Sequence, residues 1–270
     1  MSAKRKKALP LLLVFLVLIP ALIVLFALLK LAKPNNRVVY IKMQVSQGLW
    51  WSVTSRPDAY FLRAIAKDDT EYSLLGQPVA QIASVRYYPS FDKTRPDNKY
   101  DIFLTVKLSA SYNDKSQKYS FKRSSLVVGT PIEIETNKTL ITGTIMEISK
   151  EPFNDEYVEK TVYLTKKYAY PWEYDAIKIG DKYFDGENVV FEVVSKNQKA
   201  TSVIENDYYG NFNAGTLDSV RYISVKAKIK ALKRDGAFYF GELKLLNSGS
   251  FLEIWTPNFN FQDFVIGSIQ

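Results

Sequence analysis

The distribution of apolar and polar residues divides the chain near residue 36. Ala8 to Leu29 pass without a charged or strongly polar side chain, behind a cap of Lys4, Arg5, Lys6 and Lys7. As a helix rising about 1.5 Å per residue, that run reaches roughly 33 Å, enough to cross a hydrocarbon core of about 30 Å. The pattern predicts a transmembrane helix over 8–31 after a basic tail, 1–7. A cleaved signal peptide has a shorter apolar core and a small-residue cleavage site, so an uncleaved anchor is the better reading. A buried core helix would show a polar face. Pro20 should kink the span, which transmembrane helices tolerate.

Beyond the anchor the texture turns to strand. Val38 to Val45 is rich in β-formers, and Ser55, Pro57 and Asp58 then open a short helix over Ala59 to Ala66. Further strands are predicted over Val79–Tyr88, Asp101–Tyr112, Lys118–Phe121, Ile132–Thr136 and Leu140–Ile148, with turn signals at Pro89, Asp92 to Asn98, Asn113-Asp114 and Gly129-Thr130-Pro131. Lys150 to Glu159, polar and acidic, reads as a linker. After it the chain begins again. Val162–Thr165 echoes Val39–Lys42, Pro171–Ile177 echoes Pro57–Ile65, and Ile223–Ala231 echoes Ile102–Ala110. GSFLEIWT at Gly249–Thr256 echoes GTPIEIET at Gly129–Thr136, 120 residues earlier. An ordered set of such matches predicts a tandem duplication, with β-rich domains over 38–149 and 160–270. The expected class is α+β, mostly antiparallel β, with an N-terminal transmembrane helix followed by two similar β-rich domains.

Charge bears on partners. The 270 residues carry a net +8, but residues 1–36 hold six Lys or Arg and no acid; the rest has 30 basic and 28 acidic side chains, or +2. The basicity belongs to the membrane flank, which removes the main support for nucleic-acid binding. Four basic residues before the span against Lys30, Lys33 and Arg37 after it place the N-terminus in the cytoplasm and the domains outside.

The chain has no cysteine and no histidine, so disulfides, thiolate nucleophiles, Cys/His zinc sites and histidine bases are excluded within it. Asp68-Asp69 with Glu71, and Gly180-Asp181 with Asp185-Gly186, lack the convergent oxygens of a calcium loop; the first reads as a solvated loop, the second as hairpin turns. Asp175, Glu173, Glu133 and Glu253 are available to a carboxylate-dependent hydrolase, but nothing selects a pair, and strand alternation puts Glu133 and Glu253 outward. No catalytic, metal or cofactor-binding residue is predicted. Trp50, Trp51, Trp172 and Trp255 are the candidate ligand or partner contacts, with core packing, or for Trp50-Trp51 the membrane interface, as the plainer role.

Ala176–Asp185 (AIKIGDKYFD), Arg221–Ile229 and Gly241–Thr256 resemble a bacterial membrane-anchored family known only as a domain of unknown function. The first half departs from its motif, with Asp68-Asp69 in place of Gly-Asp, and the family usually carries one copy. The resemblance implies anchoring and architecture, and brings no catalytic residues. The resulting expectation is a single-pass protein of the cell membrane: a non-catalytic extracytoplasmic adaptor or scaffold of an envelope assembly such as polysaccharide export or secretion. Its partners are then the lipid bilayer through residues 8–31 and envelope proteins. The alternative is a carbohydrate- or cell-wall-binding module.

Overall fold

A computed structural model describes residues 18–19, 36–46, 56–92, 95–206, 209 and 212–270. The predicted anchor therefore lies outside the described residues except for Leu18 and Ile19, which are helical and exposed. Trp50 and Trp51 lie outside them too. No helix among the described residues is long and apolar enough to cross a membrane.

The chain is mostly antiparallel β, in two sheets. The first contains β1 (Asn36–Ser46), β2 (Thr70–Tyr72), β3 (Pro78–Asp92), β4 (Arg95–Asn113), β5 (Lys118–Phe121), β6 (Ser124–Ser125), β7 (Pro131–Glu135) and β8 (Leu140–Ser149). Its order is β2-β3-β4-β1-β8-β7, with β5 and β6 continuing from β4. The second contains β9 (Glu156–Ala169), β10 (Lys182–Phe184), β11 (Val189–Asn206), β12 (Phe212–Arg234), β13 (Ala237–Phe240), β14 (Lys244–Leu245) and β15 (Val265–Ile269). There the order is β10-β11-β12-β9-β15, with β13 and β14 continuing from β12. The helices α1 (Ala59–Ala64) and α2 (Pro171–Ala176) are short.

Two differences from the sequence expectation have a common cause. Glu156 to Glu159 belong to β9, where they pair with β12, so only Lys150 to Asp155 stand outside strands in the acidic stretch. Likewise β4 begins at Arg95, inside the expected turn. A polar strand whose neighbour supplies the hydrogen bonds carries no hydrophobic alternation for a pattern to detect.

Bulges occur at defined places. In the first sheet the register shifts between Lys42 and Met43, between Glu71 and Tyr72, and between Ile82 and Ser84. In the second it shifts between Ile266 and Ser268, between Tyr183 and Phe184, and between Val193 and Ser195. Asp68 N–H donates to the Ile82 carbonyl at 2.8 Å and Ile82 N–H to that of Asp69 at 3.0 Å; Gly180, Val193 and Asp181 make the same pair of bonds at 2.8 and 2.9 Å. Asp68 takes φ +68° where Gly180 takes +88°. An Asp tolerates this left-handed conformation better than most side chains.

Two compact units divide the chain. One joins Met1–Arg37 to Ser109–Ser125; the other joins Val38–Leu108 to Leu126–Gln270. Within the described part of the former, the Arg37 guanidinium lies 3.9 Å from the Tyr112 ring centre and 3.1 Å from Asp114. The latter holds most of the buried apolar residues of both sheets. Ile41, Met43, Ile82, Leu104, Ile134 and Ile145 are fully buried in the first, as are Phe191, Phe261, Phe264, Leu164, Val225 and Leu252 in the second.

Candidate functional site

The larger unit concentrates its charged chemistry where the two sheets meet. Lys42 stands between the buried Ile41 and Met43 of β1, and its ammonium donates to both Asp155 carboxylate oxygens at 2.7 Å. The same nitrogen lies 3.7 Å from Glu242 Oε2. Arg86, on β3, reaches Glu242 Oε1 at 3.0 Å and Glu187 at 3.4 Å. Lys42 and Glu242 are each only 5 % exposed. Desolvation is the largest influence and works against the Arg86 charge, but Glu242, Tyr88 and Glu187 together outweigh it, and the guanidinium holds its proton more tightly than usual.

The turn after β10 completes the seam. Asp185, 2 % exposed, accepts the Tyr88 hydroxyl at 2.8 Å through Oδ2 and the N–H groups of Glu187 and Asn188 through Oδ1. Its carbonyl accepts Tyr87 N–H at 2.8 Å. Gly186 makes this approach possible. It has φ +106°, and a Cβ there would stand 2.5 Å from the Val85 carbonyl oxygen and 2.9 Å from the Tyr87 ring. The Asp-Gly pair is thus a hairpin turn, as its sequence predicts, and also the point where one sheet grips the other. Burial first, then the nearby Asp185, pushes the Tyr88 phenol far above its ordinary value, so it is a permanent donor.

Beside this contact lies a groove of about 460 Å³, lined among others by Tyr87, Tyr100, Phe184, Arg63, Lys67 and Glu187. Arg63 and Lys67 are exposed and have no ion-pair partner among the described residues. The rings continue edge to face from Tyr87 to Tyr100 at 5.9 Å and from Tyr100 to Trp255 at 6.0 Å. Trp255 is therefore a half-buried support one ring behind the groove. Trp172 does not join it; it stands 63 % exposed on α2, stacked on Tyr170 with centres 6.5 Å apart.

The candidate acids are dispersed or engaged. Glu133 points outward on β7, as alternation predicts. Glu173 is buried, accepting Tyr170 N–H at 2.7 Å and the Lys166 ammonium at 2.6 Å, so it serves the start of α2. Glu71, expected in a solvated loop, is instead buried in β2 and accepts Glu135 N–H at 3.3 Å, because β2 packs beside β7. Asp101, Glu242 and Glu253 share a crevice of only about 70 Å³. That is room for about two waters. Arg56, Arg86 and Lys244 respectively reach these three acids. Among the described residues no group of acids is arranged to hold a metal ion.

Asp101 carries a pH prediction. Burial raises its pKa above the ordinary carboxylate value, against the opposing pull of Arg56. The folded state then binds this proton more readily than the unfolded chain. Its contribution is fully present below the unfolded value of about 4 and is lost as pH rises through the raised folded value. Asp101→Asn should therefore increase stability at neutral pH and flatten the stability profile just above pH 4, measured by urea unfolding across pH. An unchanged profile would contradict the assignment.

The seam residues Lys42, Arg86, Asp155 and Glu242 escaped the sequence reading. Their signal was a lysine inside the apolar run Val38–Val45, which in a buried strand implies a buried partner. No protein-family model, curated protein or solved structure matches this chain.

Proposed function

We propose that this chain is a single-pass, membrane-anchored adaptor of a bacterial cell envelope, without catalytic activity, presenting two tandem copies of one β-rich domain outside the membrane. The observation that carries the reading is the seam. Its buried acids are occupied by Lys42, Arg86 and Tyr88 from the other sheet, an arrangement suited to fixing two sheets as one rigid platform. The duplication is supported by the common strand order β2-β3-β4-β1-β8 and β10-β11-β12-β9-β15 and by three bulges at equivalent positions. Bulges are kept as designed features, so their recurrence speaks for common descent. The apolar run 8–29 and the resemblance to an anchored bacterial family support the anchor. Edge strand β7 offers a route to a partner by strand addition, whereas the outer side of β15 is already paired at Val265 and Ile266 with Gly249, Ser250 and Phe251.

The test is affinity capture of the full-length protein from membranes in mild detergent. The adaptor reading expects a defined set of co-purifying envelope proteins; a protein that remains solitary contradicts it.

The groove favours a second reading, carbohydrate binding. Tyrosine faces suit sugar rings, and Arg63 and Lys67 suit acidic substituents. Wall glycans titrated against the full-length protein should then shift its tryptophan emission, with Trp255 as the reporter beside the groove. No shift at saturating glycan removes this reading.

A further inference from the structure

The turn between β2 and β3 presents two leucines to solvent at its tip. Leu74 is 108 % exposed and Leu75 87 %, and Tyr72 beside them is 63 % exposed. The turn is firmly held: Ser73 N–H donates to the Gln77 carbonyl at 2.8 Å, and Gly76 N–H to that of Ser73 at 2.9 Å, with Gly76 at φ +75°. Its geometry does not need leucines. The corresponding connection in the second sheet, Asp185 to Asn188, is polar and is spent on the seam. An apolar pair fixed at the end of a rigid hairpin, with a tyrosine at its base, has the composition of a bilayer contact, since aromatic residues sit at the headgroup level and leucine enters the acyl region.

Position selects the bilayer over other occupants. Strand β3 begins where Ala80 pairs with Leu108 of β4. Strand β1 lies beside Asp101 at Gln44 and shares a small cavity with Phe103 and Thr105 at Lys42, so it runs opposite to β4. The Val38 end of β1 and the β2–β3 turn, both in the larger unit, are thus at one end of the sheet. The apolar run ends at Leu31 and β1 starts at Asn36, a gap that extended chain spans in at most about 18 Å. The seam uses Val85 to Tyr88, roughly 20–30 Å further along β3 at about 3.3 Å per residue, and leaves the tip free.

We infer that Leu74 and Leu75, with Tyr72, form a second membrane contact, carried by the larger unit, that inserts into the acyl region of a leaflet. This rests on the anchoring reading above. Because the chain has no cysteine, Leu75→Cys can carry a single environment-sensitive fluorophore. The full-length protein is reconstituted in liposomes containing spin-labelled lipid. Asn258→Cys, exposed beside Asp181 at the second sheet, is the distal control, and Ala21→Cys reports on the anchor. The expected result is blue-shifted emission at position 75, quenched by spin-labelled lipid several-fold more than at 258; Leu74→Cys should repeat it. Unshifted, unquenched emission at 75 with strong quenching at 21 overturns the inference and leaves the anchor standing. A blue shift without lipid quenching also overturns it, because another protein surface then covers the tip. Loss of quenching at 21 overturns the anchoring reading and this inference with it.

Discussion

Replacing Arg86 by Met should lower stability by about 3–5 kcal/mol, the usual cost of removing one partner from a buried ion pair. The loss is large because of what remains. Glu242 is buried, its Oε2 accepts no hydrogen bond, and its nearest other cation is Lys42 at 3.7 Å, which already serves Asp155. For a chain of this size the melting temperature should fall by about 2–4 °C for each kcal/mol. Removing both charges is expected to be far milder. Arg86→Met combined with Glu242→Met takes away the uncompensated charge and keeps an apolar volume in its place, so most of the loss should be recovered. Thermal unfolding of the full-length protein in detergent, followed by circular dichroism, compares the three proteins. A single variant as stable as the parent would show that the seam charges hold nothing together.

Gly186→Ala is the second large effect. Two costs combine: a left-handed φ of +106° and a Cβ placed 2.5 Å from the Val85 carbonyl oxygen. Strain and overpacking each cost about 1–3 kcal/mol, and the backbone atom facing the new methyl has no rotamer by which to move away. The turn must withdraw, so Tyr87 N–H should lose its bond to the Asp185 carbonyl. Gly180→Ala is the matched control, since Gly180 has φ +88° but nothing within 4 Å of its Cβ position. It should cost only the conformational part, about 1 kcal/mol. Hydrogen exchange is the discriminating readout. Tyr87 should exchange much faster in Gly186→Ala while Ile41 and Leu104, deep in the first sheet, keep their protection. Equal behaviour of the two alanine variants would remove the seam contact from the account.

Several elements were legible in the sequence because their environment matches a simple period. Strand β5 follows the predicted Lys118–Phe121, and β7 alternates buried Ile132 and Ile134 with exposed Glu133 and Glu135. Helix α2 follows from Pro171 at its first turn. The strand β11 was not legible: Ser195 to Lys199 is wholly polar, and β10 covers it only from Val189 to Glu192, so the rest is an edge. Its exposed Lys199 is a charge of the kind expected where an edge must resist pairing with another chain, while Lys196 donates to the Tyr174 carbonyl at 2.6 Å. The groove was illegible for a different reason. Tyr87, Tyr100 and Phe184 lie in three strands of two sheets, and no spacing along the chain announces that they converge. Trp255, a candidate ligand or partner contact with core packing as its plainer role, has its place behind Tyr100.

The seam also bears on how the proposed copies diverged. The second-sheet turn fits against β3 only because residue 186 is glycine, while the first-sheet turn has Leu74 and Leu75.

The central claim is that residues 8–31 anchor a platform that stands outside the membrane. Protease added to intact bacterial cells expressing the full chain, followed by carbonate extraction of their membranes, tests it most directly. The account predicts that the protein resists carbonate extraction and that added protease removes residues 38–270 without cell lysis. Release by carbonate would contradict the anchor, and full protection of residues 38–270 in intact cells would contradict the orientation.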